Sequence, residues 1–114
     1  DLLGCTSERR IDAVGLIQLR AGAALIDLGP VESPLGRIGG GPAGETERNV
    51  DHIALRIDRF SEAALRAALN AQGVEPHEVG IRYGADGNGP SMYLRDPDGN
   101  VVELKGPPGD VVPA

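Results

Sequence analysis

Ser91-Met92-Tyr93-Leu94-Arg95-Asp96-Pro97-Asp98-Gly99-Asn100-Val101-Val102-Glu103-Leu104-Lys105 carries the strongest fold signal in the chain. Two β-compatible runs, 91–95 and 100–105, flank Asp96-Pro97-Asp98-Gly99. That tetrapeptide reads as a tight turn, with Pro at its second position and Gly at its fourth. Glu103 stands in the returning strand among apolar neighbours. A second such residue lies upstream, in Val50-Asp51-His52-Ile53-Ala54-Leu55-Arg56-Ile57. There, alternation puts His52, Ala54 and Arg56 on one face and Ile53, Leu55 and Ile57 on the other. A neutral imidazole and a carboxylate facing one cavity suit a divalent metal. Two ligands make a poor site, so the remainder must come from this chain, from another chain, or not at all.

Between these stretches, Ser61 offers a helix N-cap, and Leu65, Ala68 and Leu69 form an i, i+3, i+4 stripe. Gln72 breaks the stripe after little more than one turn. Phe60 and Leu65 occupy staple positions around the cap, and Gly73 supplies a stop, so a helix is expected over 61–72. A short strand is expected near 80–83. The order over 50–106 is therefore β-α-β-β-β. The Gly-rich segment Gly84-Ala85-Asp86-Gly87-Asn88-Gly89-Pro90 reads as a loop, either one that closes over a ligand or a plain connection.

The first half echoes part of this pattern. Leu16–Arg20, a turn at Ala21-Gly22, and Ala23–Leu28 repeat the strand-turn-strand of the second half, with a weaker strand over 5–11. Both hairpins end in Gly-Pro, at Gly29-Pro30 and Gly106-Pro107. The expected organisation is a partial first module over 1–29 (βββ only) and a Gly/Pro-rich linker over 30–49. A complete βαβββ module over 50–106 and a mobile tail over 107–114 follow. The class is α+β.

With 114 residues, 40% apolar and only 3% aromatic, Leu, Ile, Val and Ala must fill the interior. A net charge of -6 argues against a nucleic-acid or anionic-membrane surface. No apolar run is long enough to span a bilayer. One cysteine, Cys5, excludes an internal disulfide and fits a reducing cytoplasm.

The chain resembles the vicinal oxygen chelate superfamily, which includes glyoxalase I, extradiol dioxygenases, fosfomycin-resistance thiol transferases and bleomycin-resistance proteins. The residues that carry the resemblance are Val50–Leu55, the helix 61–72, and Tyr93–Leu104 with its Asp-Pro-Asp-Gly-Asn and Glu-Leu phrases. It implies paired βαβββ modules forming a curled mixed sheet around a cavity, the first module lacking its initial strand and helix. It implies metal ligands at His52 and Glu103, the first- and last-strand positions of the second module, and at Asp27 in the first. It also implies that Glu103 serves as the catalytic base. An ungapped count from the turn places Ile26, not Asp27, opposite Glu103; pairing Asp27-Leu28 with Glu103-Leu104 favours Asp27. Family members carry a further ligand on a strand that would precede Asp1-Leu2-Leu3-Gly4. The sequence thus reads as a piece of a longer protein, as a shortened relative, or as a chain completed by another.

By spacing alone, His52 as a core histidine and Glu103 as a solvated strand residue is the favoured reading; the resemblance reverses that order. The metal is Ni, Co, Zn, Mn or Fe, which the residues do not distinguish. Arg56 is a candidate for binding a substrate carboxylate or phosphate, or equally a rim salt bridge. Tyr93 either lines the pocket or packs. His77 reads as an exposed loop residue, Cys5 as a structural thiol, and Glu45, Glu47 and Asp51 as solvated surface. A glyoxalase-like lyase or isomerase on a small vicinal-oxygen substrate is the leading expectation. A bleomycin-resistance-type protein that sequesters a cationic ligand, or an inactive paralogue, is the alternative. An exposed sheet edge and apolar face imply a homodimer or higher homo-oligomer.

Overall fold

The hairpin around Asp96-Pro97-Asp98-Gly99 folds as expected in a computed structural model, which describes residues 2–42, 44, 46 and 50–110. The strands are β6 (Gly87–Arg95) and β7 (Val101–Lys105). Asp96 organises the turn between them. Its Oδ1 accepts from Asp98 N at 3.0 Å and Asn100 N at 2.7 Å, and its Oδ2 accepts from Asn100 Nδ2 at 2.9 Å. Gly99 adopts φ +82°, which favours glycine. Asp96→Ala removes three side-chain hydrogen bonds that mimic backbone turns. It is expected to cost about 1–2 kcal/mol, read as a lowered midpoint in urea unfolding.

The chain divides into two compact units, Asp1–Glu47 and Arg48–Ala114. In the second, β4 (His52–Arg56), α2 (Glu62–Ala71), β5 (Glu78–Gly84), β6 and β7 follow the expected β-α-β-β-β order. The sheet is mixed, in the order β4-β7-β6-β5, with β4 and β7 parallel and the other neighbours antiparallel. Helix α2 begins where Ser61 Oγ accepts from Ala64 N at 3.3 Å. It ends in a Schellman arrangement: Val74 N donates to Leu69 O at 2.9 Å and Gly73 N to Asn70 O at 3.0 Å, with Gly73 at φ +77°. Among the described residues the core is formed by Leu69 of α2 with Met92, Leu94 and Leu104 of β6 and β7.

In the first unit β1 (Thr6–Ile11), β2 (Leu16–Ala21) and β3 (Ala24–Leu28) form an antiparallel sheet in that order. The register shifts between Ser7 and Arg9, and Glu8 at the shift is held by a two-pronged contact from Arg20, 2.9 Å on each oxygen.

Three segments differ from expectation. The Gly-rich stretch 84–90 is not a loop: Gly84 pairs with Gly87 across the two-residue turn Ala85-Asp86, and Gly87–Pro90 belong to β6. Its glycines serve close approach rather than mobility. A Cβ on Gly84 would meet Lys105 Cε at 2.9 Å, and one on Gly89 would meet Gly106 O at 2.7 Å. The stretch read as linker holds a one-turn helix, α1 (Pro34–Ile38), capped by Ser33 Oγ, which accepts from Gly36 N at 3.0 Å. Leu35 N donates to Val14 O at 3.0 Å, tying that turn to the first unit. At the other end, Pro108–Asp110, assigned to the tail, form a 3-10 turn, and Gly89 leaves the room that Pro107 occupies. Residues 111–114, also assigned to the tail, lie outside the described residues, as do Glu45 and Glu47.

Candidate functional site

The register of the second sheet sorts its side chains onto two faces. Ala54 pairs with Glu103, Arg56 with Lys105, Tyr93 with Glu103 and Ser91 with Lys105. With period-2 alternation, His52, Arg56, Ser91, Tyr93, Glu103 and Lys105 therefore share one face. Ile53, Leu55, Met92, Leu94, Val102 and Leu104 share the other. The sheet is polar on one side and apolar on the other, and both residues singled out from the sequence are on the polar side.

They meet there. His52 Nε2 lies 3.0 Å from Glu103 Oε2, and His52 Nδ1 lies 2.7 Å from Asp51 Oδ2. Glu103 is only 6% exposed, and its other oxygen, Oε1, accepts a 2.6 Å hydrogen bond from the fully buried Ser91 Oγ. The result is a continuous chain, Asp51–His52–Glu103–Ser91. Tyr93 stands edge-on to the His52 ring, with centroids 5.7 Å apart, and the Arg82 guanidinium lies over the Tyr93 ring at 5.9 Å.

These contacts move the titrations apart. The Asp51 hydrogen bond, against the opposing effect of burial and with help from Glu103, raises His52 above its ordinary 6.5. Burial pushes Glu103 up, but hydrogen bonds from Ser91 and Tyr93 and the nearby His52 together outweigh it, leaving the carboxyl below its ordinary 4.5. Burial, then Glu103, raises Tyr93. The signs fix a pH profile. The raised His52 contributes stability below its unfolded value that is lost as pH rises through its folded value. The lowered Glu103 contributes stability above its unfolded value that is lost as pH falls through its folded value. The pair's contribution is therefore expected to be greatest between about pH 4.5 and 6.5. Unfolding of the metal-free protein as a function of pH, compared with His52→Gln, checks this.

The donor chemistry fits two corners of a divalent-metal site. His52 Nε2 and Glu103 Oε2 are hydrogen-bonded at 3.0 Å, and two donors on one tetrahedral ion stand about 3.4 Å apart, so a small separation would let them share an ion. Asp51 on Nδ1 fixes the ring and leaves Nε2 for the ion, as an outer partner of a metal-bound histidine does. Among the described residues no three His, Cys, Asp or Glu side chains are arranged to hold one metal ion, so the second unit by itself offers two candidate ligands. Asp27, the other ligand candidate, lies on β3 of the first unit, where its Oδ1 accepts from Gln18 Nε2 at 2.9 Å.

Of the other candidates, Arg56 Nη1 pairs with Asp86 Oδ2 at 2.8 Å and both are exposed. His77 is exposed as expected, with its ring 6.2 Å from Tyr93, and Cys5 is half-buried. Asp51 is exposed, as expected, but its contact with His52 escaped sequence reasoning because it lies just before β4 and outside the alternation of that strand. Sequence reasoning also missed Ser91, whose signal is its place two residues before Tyr93 on the same face.

Solved structures with the same architecture are numerous. A protein from the mobile metagenome of V. Pseudocholerae aligns with a TM-score of 0.67 at 25% identity, over 92% of this chain and 77% of that one. The glyoxalase/bleomycin resistance protein/dioxygenase from Alicyclobacillus acidocaldarius aligns with a TM-score of 0.60 at 19% identity, over 91% and 74%. The chain has the vicinal oxygen chelate fold. Lactoylglutathione lyase from Agrobacterium tumefaciens shares that fold, with a TM-score of 0.57 at 18% identity over 93% and 78%. No protein-family model and no curated protein matches the sequence. Within the fold, His52 sits on the first strand and Glu103 on the last strand of the βαβββ unit. No helix among the described residues is long and apolar enough to cross a membrane.

Proposed function

We propose that this protein of vicinal oxygen chelate fold binds a divalent metal through His52 and Glu103. We propose that it acts on a small substrate with two adjacent oxygens, as a lyase or isomerase. The observation that carries the reading is the 3.0 Å approach of His52 Nε2 to a buried Glu103, with each residue held from behind, by Asp51 and by Ser91. A metal bound there would act as a Lewis acid toward the substrate oxygens. The protein's own residues supply the rest. Glu103, kept ionised by its hydrogen bonds, is the candidate general base, with Oε2 facing His52 and Oε1 tied to Ser91. Tyr93 borders the carboxylate and is the candidate for orienting the substrate. Arg56, on the same face, is the candidate for an anionic substituent.

The alternative, sequestration of a cationic ligand without catalysis, gains nothing locally, since Arg56 and Lys105 flank the face. Elemental analysis of the purified protein tests the proposal: wild type is expected to carry divalent metal, and His52→Ala and Glu103→Ala to lose it. Equal metal content in all three would reject it.

The same reading includes a homo-oligomer. Strand β4 is an edge of its sheet, and Ile53 on it is 49% exposed. Solution scattering is expected to return at least a dimer mass; a monodisperse folded monomer would contradict it.

A further inference from the structure

Beside Glu103 a cavity of about 270 Å³ opens, lined by Arg56, Tyr83, Asp86, Glu103 and Lys105 among others. Two of these residues are cations in register: Arg56 on β4 pairs with Lys105 on β7, so both side chains leave the same face as lateral neighbours. Like charges so placed repel and destabilise a sheet unless an anion lies between them. Lys105 is part-buried and donates from Nζ to two neutral acceptors, Arg82 O and, at 2.9 Å, Gly89 O. No carboxylate forms an ion pair with it among the described residues. The approach is built into the sequence, because a side chain on Gly84 would collide with the Lys105 stem. Arg56 has one carboxylate partner, Asp86, at the tip of the β5–β6 hairpin, where the ion pair is exposed on both sides.

We propose that this cavity is an anion subsite. It takes a carboxylate, phosphate or phosphonate group of a small ligand between Arg56 and Lys105. Asp86 is the internal carboxylate that such a group displaces from Arg56. The Arg56 fork matches two oxygens of the incoming group. The exposed Arg56–Asp86 pair is worth little, so displacement is easy, while Asp86 still excludes weak anions. The subsite lies on the face already read as the ligand site and extends that reading to an anionic substrate class.

The test uses the full chain stripped of metal by a chelator, so that it stands or falls apart from metal binding. Backbone amide NMR is followed while inorganic phosphate, and in a separate series acetate, is added. Saturable shifts are expected at Gly84, Gly87 and Lys105. Asp86→Asn is expected to tighten binding by about two- to fivefold. Arg56→Gln and Lys105→Gln are each expected to weaken it by about tenfold or more. Because Lys105→Gln removes a tie to the hairpin, the exposed Arg56→Gln carries the result if that variant unfolds. The stronger of the two series names the group. The proposal is overturned by shifts that never saturate in either series, by Asp86→Asn binding no tighter than wild type, or by Arg56→Gln binding as wild type does. Metal uptake, measured on a separate aliquot, reports on the metal reading alone.

Discussion

Glu103→Ala is expected to abolish divalent-metal uptake and also to lower the stability of the metal-free protein by about 1–3 kcal/mol. Both effects follow from the position of one carboxylate. Its Oε2 faces His52 Nε2, and its Oε1 holds Ser91 Oγ, a hydroxyl that is fully buried. Truncation strips away a candidate ligand and strands that hydroxyl with no acceptor in a place water does not reach. Loss of an outer partner of a metal-bound histidine costs roughly 10–100-fold in affinity, which is the size expected for Asp51→Ala. Loss of a ligand must cost more. Glu103→Gln separates the two effects: its amide oxygen can still accept from Ser91, so stability is largely retained while metal uptake falls. Denaturant unfolding with chelator present, alongside elemental analysis, reads both. Glu103→Ala with unchanged stability would mean that Ser91 has another acceptor.

Leu104→Ala is expected to cost about 2–5 kcal/mol, a large share of what a domain of this size has to lose. Leu104 and Met92 are both fully buried, and Leu69 is 1% exposed; few other side chains are so enclosed. With 3% aromatic residues and a small set of buried aliphatics, the chain has little capacity to close a cavity by repacking. Ile53→Ala is the control. That residue sits on the same apolar face but on the edge strand and is 49% exposed, so its loss is expected to stay within about 0.5 kcal/mol. Urea midpoints at fixed m-value distinguish the two. Equal costs would mean that the apolar face is covered uniformly and that the core is not concentrated on β7.

The second unit was legible because its signals are local. Asp-Pro-Asp-Gly specifies a turn whatever surrounds it, and Ser61 and Gly73 mark both ends of α2 despite the broken stripe at Gln72. Alternation placed His52 and Arg56 on one face, and the parallel β4–β7 register then brought Glu103 to that face. That register is a non-local property, and no local pattern encodes it. The Gly84–Pro90 stretch misled for a related reason. Glycine in a sequence signals freedom, whereas here it marks where Lys105 and Gly106 pass close by, contacts that exist only once β7 is in place. The short helix α1 was hidden by its length: one turn has no periodicity, and only Ser33 followed by Pro34 hinted at a cap. The roles of Ser91 and Asp51 were missed because residues that hold a candidate ligand from behind carry no spacing of their own.

His52 and Glu103 are proposed to hold one metal ion together. Anomalous scattering from crystals grown with cobalt, recorded on both sides of the metal edge, tests it directly. A peak is expected within bonding distance, about 2.0–2.2 Å, of both His52 Nε2 and a Glu103 oxygen. Cobalt bound elsewhere on the protein, with His52 still hydrogen-bonded to Glu103 and no peak between them, would contradict it.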